Sequence, residues 1–125
     1  RTDDGSGEVS IEVALADLAE AITSRGPVAY LVTVSDGGPR VVSVGVEVGN
    51  DPHPGTVTLT VGAGRHSAAN VGDHPQVTLF WPVDADHPKH TLLVDGTATV
   101  TSDGDRISIS PTAAVLHRVR AGQGG

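Results

Sequence analysis

The stretch that decides the fold is Val61-Gly-Ala-Gly-Arg-His-Ser-Ala-Ala-Asn70, which continues into Pro75-Gln-Val-Thr-Leu-Phe-Trp-Pro82. It is preceded by a β-branched run (56–61), and a helix-compatible segment (65–74) separates the glycine-rich turn from the second apolar run. This order predicts a strand, a tight turn, a helix of about two turns and another strand. In a simpler interpretation, the segment is only a connector, and its glycines serve the turn.

The start of this short helix is a candidate anion site. Backbone N–H groups at a helix start favour an anion, and glycines let the chain approach it closely. Arg65 adds a fixed charge suited to phosphate, and the chain has only one lysine, Lys89. His66 could bind phosphate or cap the helix. We expect Asn70 to serve structure by bonding the backbone of a loop.

The composition narrows the class of protein. A length of 125 residues predicts one domain (10–119) between flexible ends (1–9 and 120–125). The formal net charge of −7 argues against nucleic acid or an anionic membrane as a partner, and the lack of cysteine excludes thiolate chemistry. No run reaches membrane-spanning length and the start does not resemble a signal peptide, so we expect a cytoplasmic protein.

The periodicity of apolar residues predicts one helix followed by strands. Apolar residues spaced four, three and four apart from Ile11 to Ile22 predict an amphipathic helix that Ser10 caps and Gly26-Pro27 ends. A hairpin follows, and further strands are predicted from the composition and turn signals. The predicted strands span residues 28–34, 40–48, 56–61, 76–81, 90–101 and 106–110, with a turn at 50–55 and a short helical turn within 111–119.

One helix, about six strands and a short helical crossover predict a mainly β fold, a small six-stranded antiparallel barrel. The core must be aliphatic, since Tyr30, Phe80 and Trp81 are the only aromatic residues. We expect Trp81 to be a buried core residue beside Phe80, with stacking on a flavin as the alternative. Gly96, within the long fifth strand, predicts a bulge or bend.

Four stretches, taken in order, resemble the pyridoxamine 5′-phosphate oxidase-like proteins, the flavin-binding split barrels, and among them the short actinobacterial members. They are Asp36-Gly-Gly-Pro-Arg-Val-Val-Ser-Val44, Val61 to Asn70, Pro75 to Pro82, and Val94-Asp-Gly-Thr-Ala98 with Pro111-Thr-Ala-Ala-Val-Leu-His-Arg118. The resemblance implies an FMN-binding type of split barrel. It also implies a homodimer with two flavin or deazaflavin sites between the subunits.

The resemblance also implies which residues contact the cofactor. The phosphate would lie at Arg65, His66 and Ser67, with Asn70 on the next turn and Arg40 as a second candidate charge. Many flavin-binding members carry a lysine where this chain has Ser67, so the phosphate would rest on arginine and backbone N–H groups. The ring would lie against the second and third strands, at Ser43, Val44, Gly45, Thr60, Val61 and Gly62. His117 and Arg118 could reach the partner's cofactor.

Other chemistry has weaker support. The stretch from His87 to His90, with Asp84 and Asp86, has residue types that suit a metal, but we interpret it as a solvated loop without a metal. The order and spacing of residues show no Ser-His-Asp set and no paired carboxylates.

These patterns leave three hypotheses. The first is an oxidoreductase that uses FMN or a deazaflavin, in which the cofactor carries the redox chemistry. The second is a non-catalytic protein that binds a cofactor or haem. The third is a structural dimer without a cofactor. No sequence feature identifies the substrate.

Overall fold

The computed structural model describes residues 10–50 and 57–120. The predicted flexible start, most of the turn at 50–55, the first residue of the third predicted strand and residues 121–125 of the predicted flexible end lie outside these residues. The elements, in chain order, are β1 (Ser10–Glu12), a 3-10 helix (Leu15–Asp17), α1 (Leu18–Arg25), β2 (Val28–Ser35), β3 (Gly38–Asn50), β4 (Val57–Gly62), α2 (Arg65–Asp73), β5 (Gln76–Trp81), β6 (His90–Val100) and β7 (Arg106–Arg118).

The strands close into an antiparallel barrel. They pair in the order β1-β7-β4-β3-β2-β5-β6, and β6 also pairs with β7, so the six strands β2 to β7 form a closed ring. Every pairing is antiparallel, including that of β1 with β7. The mainly β fold predicted from the sequence is confirmed, with β1 as an additional short strand.

Alternate residues of each strand face an aliphatic core. Strands in a barrel point successive side chains to opposite faces, so every second residue can be buried. Trp81 also belongs to this core, as predicted; its side chain is 2% exposed and its indole N–H donates to the carbonyl oxygen of Gly26 at 3.1 Å. The other large, fully buried hydrophobic side chains are Leu18, Ile22, Leu31, Leu59, Leu79, Leu92, Ile107, Ile109, Val61 and Val94.

The prediction of a helix starting at Ser10 is wrong. Residues Ser10–Glu12 form β1, because the second half of β7 offers a free edge to which their backbone can hydrogen-bond. The backbone of Ala14 is extended (φ −63°, ψ 141°), which separates this strand from the helical residues that follow. The helix ends as predicted, at Gly26 with φ 106°, a value that favours glycine.

The predicted helical turn within 111–119 is also wrong, because β7 continues to Arg118. The long strand β6 pairs with β7 along its whole length and so holds this segment extended. The register shifts at Gly96, which confirms the predicted bulge: Asp95 lies opposite Ala113 and Gly96 opposite Pro111, so Thr112 is the extra residue. Pro111, which lacks an N–H, is tolerated at such an irregularity.

One part of the barrel's outer surface is apolar, although it faces solvent in the single chain. Val28 is 60% exposed, Val34 42% and Val41 54%. Tyr30 stacks on Phe80 of the neighbouring strand, with ring centroids 5.1 Å apart. We refer to these five residues as the apolar outer face. In the part of the chain that the structure describes, no helix is long and apolar enough to cross a membrane.

Candidate functional site

The candidate anion site lies where β4 passes into α2. Gly64 is the N-cap residue of α2, and its backbone is extended. Because glycine has no side chain, no side chain caps the helix start. Arg65 and His66, the first two residues of α2, are both exposed. Within residues 10–50 and 57–120, neither side chain makes a hydrogen bond or ion pair. The helix start therefore presents an arginine, a histidine and backbone donors to solvent.

The turn before α2 is fixed to the neighbouring turn of the barrel. The backbone N–H of Ala63 donates to the carbonyl oxygen of Asp105 at 3.1 Å. Gly62, at the end of β4, pairs with Arg106 at the start of β7. These contacts place the helix start beside the first residues of β7, so the candidate anion site is joined to the strands of the barrel.

Four of the predicted ring-contacting residues share the outer surface of the sheet. Ser43 and Gly45 lie on the same face of β3, and Thr60 and Gly62 on the same face of the adjacent strand β4. A Cβ built on either glycine has no atom within 4 Å, so the backbone is open to a flat ligand at both positions.

The other two predicted ring contacts point inward. Val61 is 0% exposed and Val44 packs partly buried against the core. Only the backbone of these two residues could contact a ligand on the outer surface.

Ser67 and Asn70 face the barrel. Ser67 is 8% exposed, so its side chain offers no contact to a ligand in solvent, and only its backbone remains a candidate. The Asn70 side-chain amide donates to Oγ1 of Thr33 at 3.1 Å, and Thr33 is 2% exposed. Asn70 therefore joins α2 to β2, which agrees with its predicted structural role, although its partner is a side chain and not loop backbone.

Arg40 is separated from the other candidates. It lies opposite Thr33 in the β2–β3 pairing, and therefore on the face of β3 opposite to that of Ser43 and Gly45. Its Nη2 lies 3.5 Å from the position that a Cβ would take on Gly37, so the guanidinium lies over the β2–β3 turn.

Arg106 and Glu47 are site residues that the sequence analysis missed. Nη2 of Arg106 lies 3.0 Å from Oε1 of Glu47, across β4. Both belong to the outer surface that carries Thr60 and Gly62. Nε of Arg106 is buried and has no hydrogen-bond partner among the described residues. A buried donor without a partner is costly, and a bound acceptor would relieve that cost.

The open outer surface at Gly45 and Gly62, which we call the glycine surface, adjoins the apolar outer face. In the β2–β3 pairing Val28 lies opposite Gly45, and Tyr30 lies opposite Ser43. A molecule covering the apolar outer face would therefore also border the surface at Gly45 and Gly62.

The other predicted sites are not assembled with this one. His117 lies near β1, where its Nδ1 is 3.4 Å from Oγ of Ser10, and Arg118 is exposed at the end of β7. Among the residues that the structure describes, no group of three or more His, Asp or Glu side chains is arranged to hold a metal. His87 instead contacts Asp84, with Nδ1 2.8 Å from Oδ1.

Comparison with known proteins identifies a family and a shared fold. The model of the pyridoxamine 5′-phosphate oxidase family matches residues 15–118. The FAD-binding protein from Mycobacterium smegmatis superimposes with a TM-score of 0.59 at 13% identity, covering 89% of this chain and 99% of that one. A Clostridium acetobutylicum protein related to general stress protein 26 superimposes with a TM-score of 0.56 at 14% identity, covering 83% of this chain and 87% of that one. A search of curated protein sequences finds no significant match.

The fold and the candidate site together define a closed antiparallel barrel, in which a helix start with an exposed arginine and histidine lies beside the open surface at Gly45 and Gly62. The chain belongs to the pyridoxamine 5′-phosphate oxidase family, since the family model covers most of its length. The two solved structures share its fold. The residues present fit the flavin that this family implies. They supply Arg65 and helix N–H groups for a phosphate, a flat surface for a ring, and a buried Arg106 donor without a partner.

Proposed function

We propose that this protein binds a flavin or deazaflavin between two copies of the chain and acts as an oxidoreductase. The observation that carries the proposal is Arg65 at the start of α2, exposed and without a partner among the described residues, beside the open surface at Gly45 and Gly62. Family membership and the fold shared with an FAD-binding protein support the same cofactor class. FMN is our first choice among the flavins.

In this proposal, each part of the site has one task. Arg65, His66 and the backbone N–H groups through Ser67 hold the phosphate, because guanidinium and helix-start donors suit its charge and geometry. The surface of β3 and β4 supports the ring, with Arg106 as a donor at its edge. The flavin supplies the redox chemistry when bound, while the protein fixes its position and excludes water.

The apolar outer face supports the proposal of a homodimer. A contiguous apolar surface on a small acidic domain is costly to leave in water, and an isologous contact with a second copy would cover it. We expect an interface rich in valine, with the stacked Tyr30 and Phe80 near its centre. Because this face borders the glycine surface, the second copy would also close the cofactor site.

Replacing Arg65 tests the phosphate site. Arg65→Ala should weaken FMN binding by about 1.5–3 kcal/mol, because it removes a charge-assisted hydrogen bond to the phosphate. The measurement is titration of the purified protein with FMN, followed by flavin fluorescence. FAD, a deazaflavin and haem are then tried in turn, each followed by its own spectrum. Arg120→Ala, an equal loss of charge at an exposed position, serves as the control. Equal weakening by both substitutions would show that general charge attracts the ligand and would contradict the proposed site.

The second candidate function is a cofactor- or haem-binding protein without turnover. The observation that favours it is the burial of Ser67, the position at which many flavin-binding relatives place a lysine. The phosphate then has fewer cations, and a weakly held flavin need not indicate an enzyme.

Stopped-flow reduction separates the two functions. An oxidoreductase should let NAD(P)H reduce the bound cofactor, or let a small acceptor reoxidise it, at least about tenfold faster than free cofactor, a difference of about 1.4 kcal/mol in barrier height. Arg65→Ala at equal total cofactor should lose this advantage in proportion to the cofactor it releases. Rates no faster than those of free cofactor for every donor and acceptor tried would favour the binding protein.

A further inference from the structure

A cavity lies at α1, away from the proposed flavin site at the start of α2. It has a volume of about 390 Å³ and lies between the last turn of α1 and the loop that joins β5 to β6. Ala21, Pro88 and Leu116 give it apolar walls. Its lining includes none of the residues that we assign to the flavin. Its size is within the range of pockets that hold small organic ligands.

The polar part of the lining is predominantly basic. Arg25, the only lysine (Lys89) and two histidines line the cavity, together with a single acidic residue, Asp86. In a chain with a formal net charge of −7, the pairing of Arg25 with Lys89 runs against the overall field. Two cations in the lining of a cavity with apolar walls favour a ligand that is anionic at one end.

Arg25 is held in place by the strand it faces. Its Nη1 donates to the carbonyl oxygens of Trp81 and Pro82, at 3.5 Å and 3.4 Å. Partial burial lowers the pKa of Arg25, yet guanidinium remains protonated in proteins. Both contacts use Nη1, so the remaining N–H donors of the fork can bind a carboxylate.

The neighbouring histidine, His87, is also held by contacts at both of its ring nitrogens. Nδ1 of His87 faces Oδ1 of Asp84 at 2.8 Å, and this hydrogen bond is the main cause of the lowered pKa of Asp84. Nε2 lies 3.3 Å from Oγ of Ser24, whose hydroxyl donates to the carbonyl oxygen of Ala21 at 2.8 Å. Both ring nitrogens therefore have a hydrogen-bonding neighbour, and these contacts fix the orientation of the ring.

The same geometry argues against a nucleophilic serine. Ser24, His87 and Asp84 are connected in the order of a catalytic triad. The Ser24 hydroxyl, however, has its proton directed to the backbone of its own helix, and not to the imidazole. We infer that this trio fixes the position of the His87 imidazole at the wall of the cavity.

We propose that this cavity binds a small organic carboxylate. The carboxylate contacts Arg25 and Lys89, and the apolar body of the ligand lies against Ala21, Pro88 and Leu116. A monoanion fits better than a phosphate dianion, because Asp86 in the lining repels the additional charge. The site is independent of the proposed flavin function, so either proposal can fail without the other.

Binding of benzoate tests the proposal, with neutral benzamide as the matched ligand. Two-dimensional amide NMR of the full chain should show shifts in residues 21–25 and 86–90, and benzoate should bind at least about tenfold more tightly than benzamide, the size expected of one charge-assisted contact. Inorganic phosphate should bind more weakly than benzoate because it has no apolar body. Equal affinities for benzoate and benzamide, or no shifts with millimolar benzoate, would overturn the proposal.

Substitutions of single basic residues test which charge binds the carboxylate of benzoate. Lys89→Ala should weaken benzoate binding about tenfold, whereas Arg120→Ala, the same charge loss at an exposed position after β7, should leave benzoate affinity as it is. Arg25→Lys retains the charge but loses the planar fork, and should also weaken binding while the amide spectrum shows an intact fold. Equal weakening by Lys89→Ala and Arg120→Ala would mean attraction by general charge and would refute a built site.

Discussion

Gly96→Ala is expected to lower the free energy of unfolding by about 3 kcal/mol, at the upper end of the cost of overpacking a core. A Cβ at Gly96 would lie 2.7 Å from Cγ2 of Ile109 and 2.8 Å from the carbonyl oxygen of Ser110. It would also lie 3.3 Å from Cα of Pro111. Two of these three contacts are with backbone, which cannot move aside without disturbing the pairing of β6 with β7.

The measurement is equilibrium unfolding in urea, with Gly72→Ala as the matched control. Gly72 lies in α2, and a Cβ there meets nothing within 4 Å. Its substitution should raise stability by about 0.5–1 kcal/mol, because alanine loses less backbone entropy in a helix. A Gly96→Ala variant as stable as the wild type would show that the barrel closes differently at this point.

The bulge at Gly96 shows how far the sequence predicts the barrel. A glycine within a predicted strand indicates a bulge or bend, and that prediction is confirmed. The extra residue, Thr112, is on the partner strand and has no local signal. The helical turn predicted within 111–119 rested on local sequence, which does not show the neighbouring strand. Pairing with β6 then determined the conformation of the segment.

The wrong prediction of a helix starting at Ser10 has the same cause, pairing with a strand that is distant in sequence. The spacing of Leu15, Leu18 and Ile22 is helical, and the last two are buried in α1 as expected. Ile11 fits the same spacing, but its backbone pairs with Leu116 across the free edge of β7. Periodicity reports which side chains face the core; it cannot report an edge formed by residues about one hundred positions away.

The residues of the candidate site also fall into two groups: those that local sequence predicts and those that only the pairing of strands reveals. The basic helix start at Arg65 is a local feature and could be predicted from adjacent residues. Arg106 and Glu47 join the same surface only through the register of three strands, with β4 between them. Strand order had to be known before these residues could be found. Strand alternation likewise decides that Arg40 is on the other face of β3, which its position in the chain did not indicate.

Val41→Asp is expected to convert the proposed homodimer into a monomer. Val41 is 54% exposed in the single chain and lies opposite Val32 in the β2–β3 pairing, on the apolar outer face. A carboxylate there remains hydrated in a monomer, but would be buried without a partner in a dimer. The dissociation constant should rise at least about 100-fold, or about 2.7 kcal/mol.

Sedimentation velocity over a range of concentrations measures this change, and urea unfolding of the monomer checks that the fold is retained. Val83→Asp, an equal substitution at an exposed valine in the loop after β5, should leave the dimer intact. Because the apolar outer face borders the glycine surface, Val41→Asp should also weaken flavin binding, although it lies away from Arg65. If Val41→Asp dimerised as tightly as Val83→Asp, the second copy would have to contact another surface. If flavin affinity then also stayed unchanged, the cofactor site would be complete within one chain.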